Sequence, residues 1–181
     1  MKIELKNFNH AAFASEETLC FSASVYVDDI RTFEVSNSGK GEENRIMPVK
    51  GKSMAAIHPV QEWVSQQPKV KLSDSMEVKD DLDFYLSRLA NREVVKKQLK
   101  STLKKHVLIF EPNDQMDLRQ FASAFKPTDI SDKHRQHLKR LYPGCVILND
   151  LDIENALDLY IAASSQENSD VDKVYQRVKA A

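Results

Sequence analysis

Strict alternation of apolar and polar residues marks the start of the chain. Ile3 and Leu5 alternate with Lys2, Glu4 and Lys6, which predicts a strand over residues 2–14, with a bend or bulge at Asn7 to Asn9 before Ala11-Ala12-Phe13. Ser15-Glu16-Glu17 reads as a turn. In residues 19–28, Phe21, Ala23, Val25 and Val27 share one face, while Cys20, Ser22, Ser24 and Tyr26 share the other. Asp28-Asp29 supplies turn chemistry, and Arg31 to Val35 returns as a strand. Connections this short predict a three-stranded antiparallel meander over residues 1–37. The alternation then stops. Gly39, Gly41 and Gly51 stand among Ser, Asn and Lys, and residues 38–56 read as one long exposed loop, a feature often tied to function.

Helical spacing takes over in residues 57–163. Val60, Trp63 and Val64 mark a helix from Ile57 to Gln67, ended by Pro68. Residues 68–76 read as a linker, with Asp74 or Ser75 capping a helix from about Glu77. Leu82, Tyr85, Leu86 and Leu89 keep one phase; it fails near Asn91 and restarts at Val95, Leu99 and Leu103. Two helices, 77–90 and 92–104, follow from that break, with Asn91 capping the second; one kinked helix is the alternative. His106 to Phe110 and Cys145 to Leu148 are short apolar runs, read as buried strands at 107–110 and 145–148. Between them Leu118, Phe121, Ala122 and Phe125 predict a helix ended by Pro127, and a further helix covers 131–141 before Pro143-Gly144. Asn149 or Asp150 caps a helix through Ala163. Residues 164–181 form a polar tail, compatible with a short helix through Val171, Val174, Tyr175 and Val178.

These elements define an α+β fold: an N-terminal antiparallel β-meander packed with several short amphipathic helices and two further short buried strands. They form one domain over residues 1–163, followed by the tail. The two short strands are expected to pair with each other or to extend the sheet. With 181 residues, 41% of them hydrophobic, the chain is long enough to bury a core without staples. No run approaches the roughly 18 apolar residues of a membrane span, and the N-terminus has no apolar leader, so the expected compartment is the cytosol. Cys20 and Cys145 then read as reduced thiols, with a disulfide between them geometrically open.

Charge changes the picture more than composition does. The formal net charge is −1, yet the signs are segregated. Between Arg88 and His106 stand Arg88, Arg92, Lys96, Lys97, Lys100, Lys104 and Lys105 against Glu93 alone. Between Leu141 and Asp172 every charged residue is acidic. The two blocks are able to neutralise each other or to meet partners. Arg92, Lys96, Lys100 and Lys104 recur every fourth residue, which makes a row drifting slowly round a helix, widened by Lys97 and Lys105. Lys133, Arg135, Lys139 and Arg140 add a second basic surface. Such a row fits the acidic surface of a protein partner or the phosphates of nucleic acid, the latter with Tyr85 or Tyr142 stacking on bases.

Other chemistry is weaker. Gly51-Lys52-Ser53 resembles the end of a phosphate-binding loop, but position 46 is Ile where that motif needs Gly. Asp150, Asp152 and Glu154 lack the glycine of a calcium loop and suit the first turn of a helix. His134 and His137 are three apart amid Lys and Arg, which opposes a cation. No cofactor or metal motif and no nucleophile signature emerges, which inclines the reading away from an enzyme; a site assembled from scattered residues stays open.

Several segments resemble a group of small uncharacterised accessory proteins encoded by bacteriophages and prophages. They are Ala11-Ala12-Phe13-Ala14-Ser15-Glu16-Glu17-Thr18, Val25-Tyr26-Val27-Asp28, Val35-Ser36-Asn37 before Gly39 and Gly41, Lys104-Lys105-His106-Val107-Leu108, and Val146-Ile147-Leu148-Asn149-Asp150-Leu151. The chain departs from that pattern at Asp29-Ile30, where a glycine-containing turn is typical, and at Glu42-Glu43, where the loop is usually richer in glycine. The resemblance implies work inside a bacterial host cell and no particular activity. It frames the expectation of a non-enzymatic protein that binds a host macromolecule, as an inhibitor or modulator of a host or defence complex, through Arg92, Lys96, Lys97, Lys100, Lys104 and Lys105. Nucleic-acid binding by the same residues is the alternative.

Overall fold

The alternation of the first residues becomes a sheet. The computed structural model describes residues 1–73, 76–112, 117–122, 130–164 and 171–180. In it β1 (Ile3–His10), β2 (Phe21–Val27), β3 (Ile30–Asn37) and β4 (Arg45–Pro48) form a four-stranded antiparallel sheet in that order. The expected bulge is present: pairing slips between Lys6 and Asn9, and Asn7 has a φ of 54°. The meander has a fourth strand, however, so residues 38–56 are not one open loop; Arg45 pairs opposite Ser36 and Pro48 opposite Phe33. The first strand also ends earlier than residue 14. Ala12–Ala14 leaves the sheet as a 3-10 turn.

The β2–β3 hairpin turns on Asp28 and Asp29, both with positive φ, 47° and 64°. A two-residue turn needs that geometry to follow the strand twist, and glycine adopts it without steric cost. The Asp28 carboxylate is engaged, accepting the Lys2 amide at 2.7 Å. Among the described residues, Asp29 makes one ion pair, exposed, with Lys6 at 3.6 Å. Asp29→Gly is therefore expected to stabilise the protein by about 1 kcal/mol, read as a higher urea midpoint with an unchanged slope.

Contacts group the chain into two compact units, Met1–Val94 and Val95–Ala181, where the sequence alone suggested a single domain over 1–163. In the first unit the inner sheet face presents Ile3, Phe21, Ala23, Val25, Phe33 and Val35. It packs on Val60 and Val64 of α1 (His58–Ser65) and on Leu82, Leu86 and Ala90 of α2 (Leu82–Leu103). The segment read as a linker at 68–76 contains a hairpin, β5 (Val70–Ser73) with β6 (Met76–Val78). Glu77 thus lies in a strand, and the helix starts later. Asp81 caps it, accepting the Phe84 amide at 2.8 Å; Asp74 and Ser75 lie outside the described residues.

One continuous helix replaces the two expected at 77–90 and 92–104. No Gly or Pro interrupts residues 82–103. The phase is lost at Asn91 because the helix changes partners: Leu82, Leu86 and Ala90 belong to the first core, and Val95, Leu99 and Leu103 to a core of the second unit.

In that second unit β7 (His106–Glu111) is the central strand, antiparallel to β8 (Asp117–Ala122) on one side and β9 (Val146–Ile147) on the other. The two short apolar strands do pair, Ile109 opposite Ile147. Both faces of β7 are covered, as its unbroken apolar run requires. Leu108 and Phe110 pack with α4 (Ile153–Ser164) and α5 (Val171–Ala180). Val107 and Ile109 pack with Ile130, Cys145 and Ile147, against Leu138 of α3 (Asp132–Leu141) and Tyr142. The helix expected from Leu118 to Phe125 is instead strand β8 up to Ala122, and Phe125 lies outside the described residues. The tail is structural in part, because Val171, Tyr175 and Val178 of α5 are buried in the core. The α4 cap is Asp152 rather than Asn149 or Asp150; its carboxylate accepts the amides of Glu154 and Asn155 at 3.0 and 3.1 Å. No described helix is long and apolar enough to cross a membrane.

Asn149 has a different task. Its Oδ1 accepts the Leu108 amide at 2.9 Å, and its Nδ2 donates to the carbonyls of Leu103 and His106, each at 3.0 Å. One side chain thus ties the end of α2 to the start of β7.

Candidate functional site

Solvation of the basic residues follows from which side of α2 is buried. At about 100° per residue, Val95, Leu99 and Leu103 define an apolar stripe, and Lys97 and Lys100 lie about 60° apart on the other side. Lys97 and Lys100 are exposed, as is Lys104 just past the last helical residue. Among the described residues none of these three forms an ion pair or hydrogen bond. Lys96, at the border of the apolar stripe, is different. Its side chain is 19% exposed and its ammonium meets the Glu154 carboxylate at the start of α4. Lys105 is exposed but engaged, and Arg92 is half-buried, engaged, and part of the first unit. The six residues expected to act as one row therefore divide, and the solvated cluster is Lys97, Lys100 and Lys104.

The acidic block is divided too. Asp150 accepts from Arg135 at 3.0 Å, Glu154 holds Lys96, and Asp158 accepts from Arg177 at 2.5 Å. Asp152 is committed to its helix cap; the Asn155 amide, foremost among its donors, holds its carboxyl below the usual carboxylate range. Asp150, Asp152 and Glu154 face separate partners rather than one cation. Internal neutralisation thus consumes Lys96 and Arg135 and leaves the three lysines untouched.

The remaining candidates resolve into structural roles. Lys52 donates to the Arg31 carbonyl at 3.1 Å, within a turn beside Gly51. His134 contacts the Ser131 hydroxyl at 2.8 Å and His137 contacts Arg140 at 3.2 Å. Tyr85 stands edge-on to Trp63, 6.0 Å between centroids, and burial pushes its hydroxyl pKa up. Tyr142 lies under the Arg119 guanidinium at 5.4 Å. Neither ring is an open platform for a base. Cys20 and Cys145 are free thiols, and burial raises the pKa of Cys145, which disfavours its nucleophilic thiolate.

One arrangement in the first unit was not anticipated. A cleft of about 450 Å³ is lined by Ser15 to Leu19, Asn37, Glu42, Asn44, Asp83 and Ser87, among others. Asn37 organises it: its Oδ1 accepts from the Thr18 hydroxyl and the Gly39 amide, both at 2.8 Å, and its Nδ2 donates to the Glu42 carbonyl at 2.9 Å. Asn44 continues the network to α2, its amide donating to Asp83 at 2.7 Å and its Nδ2 to Ser87 at 2.8 Å. The amides of Glu16, Glu17 and Thr18 all point at the Gly39 carbonyl, at 3.0, 2.9 and 3.3 Å. The signal for this was Asn37 followed by Gly39 and Gly41, a pattern suited to positive φ, which both glycines adopt at 90° and 88°.

Comparisons with protein-family models, with curated proteins and with solved structures each returned no match.

Proposed function

We propose that this chain is a non-enzymatic accessory protein of phage type. In this reading it acts in the bacterial host cytosol by binding an acidic surface of a host protein through Lys97, Lys100 and Lys104, as an inhibitor or modulator of a host or defence complex. The observation that supports it most is the set of three neighbouring ammonium groups left in water while Lys96, next to them, is neutralised within the fold. A surface of like charges with no internal partner costs a little stability through self-repulsion, and it speeds encounter with a complementary surface. The resemblance to phage-encoded proteins supports the setting, and the engagement of Tyr85 by Trp63 and of Tyr142 by Arg119, the two rings expected to stack on bases, favours a protein partner over nucleic acid.

The test is charge reversal. Lys97→Glu/Lys100→Glu/Lys104→Glu is expected to fold with an unchanged far-UV spectrum, since all three side chains are exposed. It should weaken binding to the host partner, identified by lysine cross-linking in lysate, at least tenfold, mostly through slower association. Equal affinity of variant and wild type sinks the reading. Retardation of DNA or RNA at low salt, with a log–log salt slope near −3 for three phosphate contacts, would replace the protein partner with nucleic acid.

A further inference from the structure

The sharpest unexplained feature lies elsewhere, in the first unit. Phe13 is 94% exposed, the highest value among the large apolar side chains of the described residues. An aromatic ring held in water forfeits the burial that makes such residues valuable in cores and interfaces. Looseness of the loop does not account for it. The 3-10 turn Ala12–Ala14 is closed by the Ala14 amide on the Ala11 carbonyl at 3.0 Å. The Ser15 hydroxyl donates to the same carbonyl at 3.1 Å and accepts the Cys20 amide at 2.9 Å. The next three amides are fixed on Gly39. The backbone that carries Phe13 is therefore held in place, and the ring projects outward from it.

Negative charge predominates in the loops around this ring. Glu16 and Glu17 follow it in the same loop, and Glu42 and Glu43 stand in the loop bonded to it; all four are exposed. Lys40 is the single cation in residues 11–18 and 38–44. The two loops meet closely: the Gly41 amide donates to the Thr18 hydroxyl at 3.2 Å, and a Cβ built on Gly41 would lie 2.3 Å from the Glu17 carboxylate. The Ser38 hydroxyl bonds to Glu42 and keeps its carboxyl below the usual range, so it is ionised at neutral pH.

We propose that Phe13, with Glu16, Glu17, Glu42 and Glu43, forms a preformed docking tip that inserts its ring into an apolar pocket rimmed by Lys or Arg on a partner protein. A single buried aromatic anchor inside a ring of polar contacts is the usual energetic centre of a protein interface, and a pre-ordered loop loses little entropy on binding. Charge complementarity selects a basic partner. It also opposes an anionic membrane, the other surface on which an exposed ring could settle. The surface is opposite in sign to the lysine cluster of the second unit and stands independently of it.

The experiment uses the full chain expressed in host cells with Phe13 replaced by the photo-crosslinker p-benzoylphenylalanine. Irradiation is expected to give one major adduct, with its attachment site on the partner flanked by Lys or Arg. Glu16→Lys/Glu17→Lys on that background should cut the yield at least tenfold. With the purified pair, Phe13→Ala should weaken binding about thirtyfold while its melting temperature stays at the wild-type value. The proposal is overturned by no adduct, by attachment to a second copy of this chain or to a site without cations, or by a yield indifferent to charge reversal. Flotation of the wild type with phosphatidylcholine vesicles would likewise overturn it, in favour of a lipid surface.

Discussion

Gly39→Ala is expected to destabilise the first unit by about 4 kcal/mol, the largest effect of an alanine at any of the four glycines. Two costs combine. Gly39 has a φ of +90°, where a side chain is strained, and an added Cβ would lie 2.0 Å from the Ala14 carbonyl oxygen and 2.9 Å from the Cys20 Cβ. The obstacle is backbone, so it cannot swing aside as a flexible side chain would. The loop must move, and then the amides of Glu16, Glu17 and Thr18 lose the carbonyl they share. Gly51 supplies the control. Its φ is +89°, and nothing lies within 4 Å of its added Cβ, so Gly51→Ala should cost only the backbone strain, about 1 kcal/mol. The only tryptophan, Trp63, belongs to the first unit, so urea unfolding followed by its fluorescence reads both variants. Equal midpoints for Gly39→Ala and Gly51→Ala would mean that the approach of Ala14 to Gly39 is not a constraint in solution.

Asn149→Ala should cost the second unit about 3 kcal/mol. The Leu108 amide and the carbonyls of Leu103 and His106 lose their side-chain partner at once. Leu108 is buried, and water cannot replace Asn149 there without opening the strand. Asn149→Asp is a useful companion. It keeps an acceptor for Leu108 but turns a carboxylate toward two carbonyl oxygens, so it should be no better than alanine at neutral pH. Far-UV circular dichroism in urea measures the loss, and amide exchange locates it. Faster exchange should begin at β7 and the last turn of α2; a loss spread evenly over the second unit would contradict the role of Asn149 as a tie between them.

The sequence was legible wherever a single period ran unbroken against a single partner. The meander of Ile3, Phe21, Val25 and Val35 alternates along most of its length, and the bulge at Asn7 was visible as a break in it. The runs at 107–110 and 145–148 announced burial on both faces, and they pair. Reading failed where one pattern fitted two geometries. Leu118, Phe121 and Ala122 satisfy helical spacing, yet the segment is the edge strand β8, stabilised by its ladder with β7. Strands β4, β5 and β6 are short, and Gly, Pro and Ser around them speak of turns, so only tertiary pairing makes them strands. The basic residues were visible as a set, but their division was not. Whether an ammonium is neutralised depends on where Glu154 sits across the fold, and nothing near Lys96 in sequence encodes that. Phe13 was hidden for a related reason: an aromatic residue among alanines looks like interior, and only the 3-10 turn turns it outward.

The continuity of α2 carries a practical consequence for anyone dissecting the chain. A gene fragment stopping at Val94 would truncate the helix in mid-course, stripping its last carbonyls of their acceptor role, and a fragment starting at Val95 would begin with nine helical residues and no cap. Isolated helices so short are marginal in water. Fragments that overlap through Leu103 on one side and start from Asp81 on the other are the ones to express.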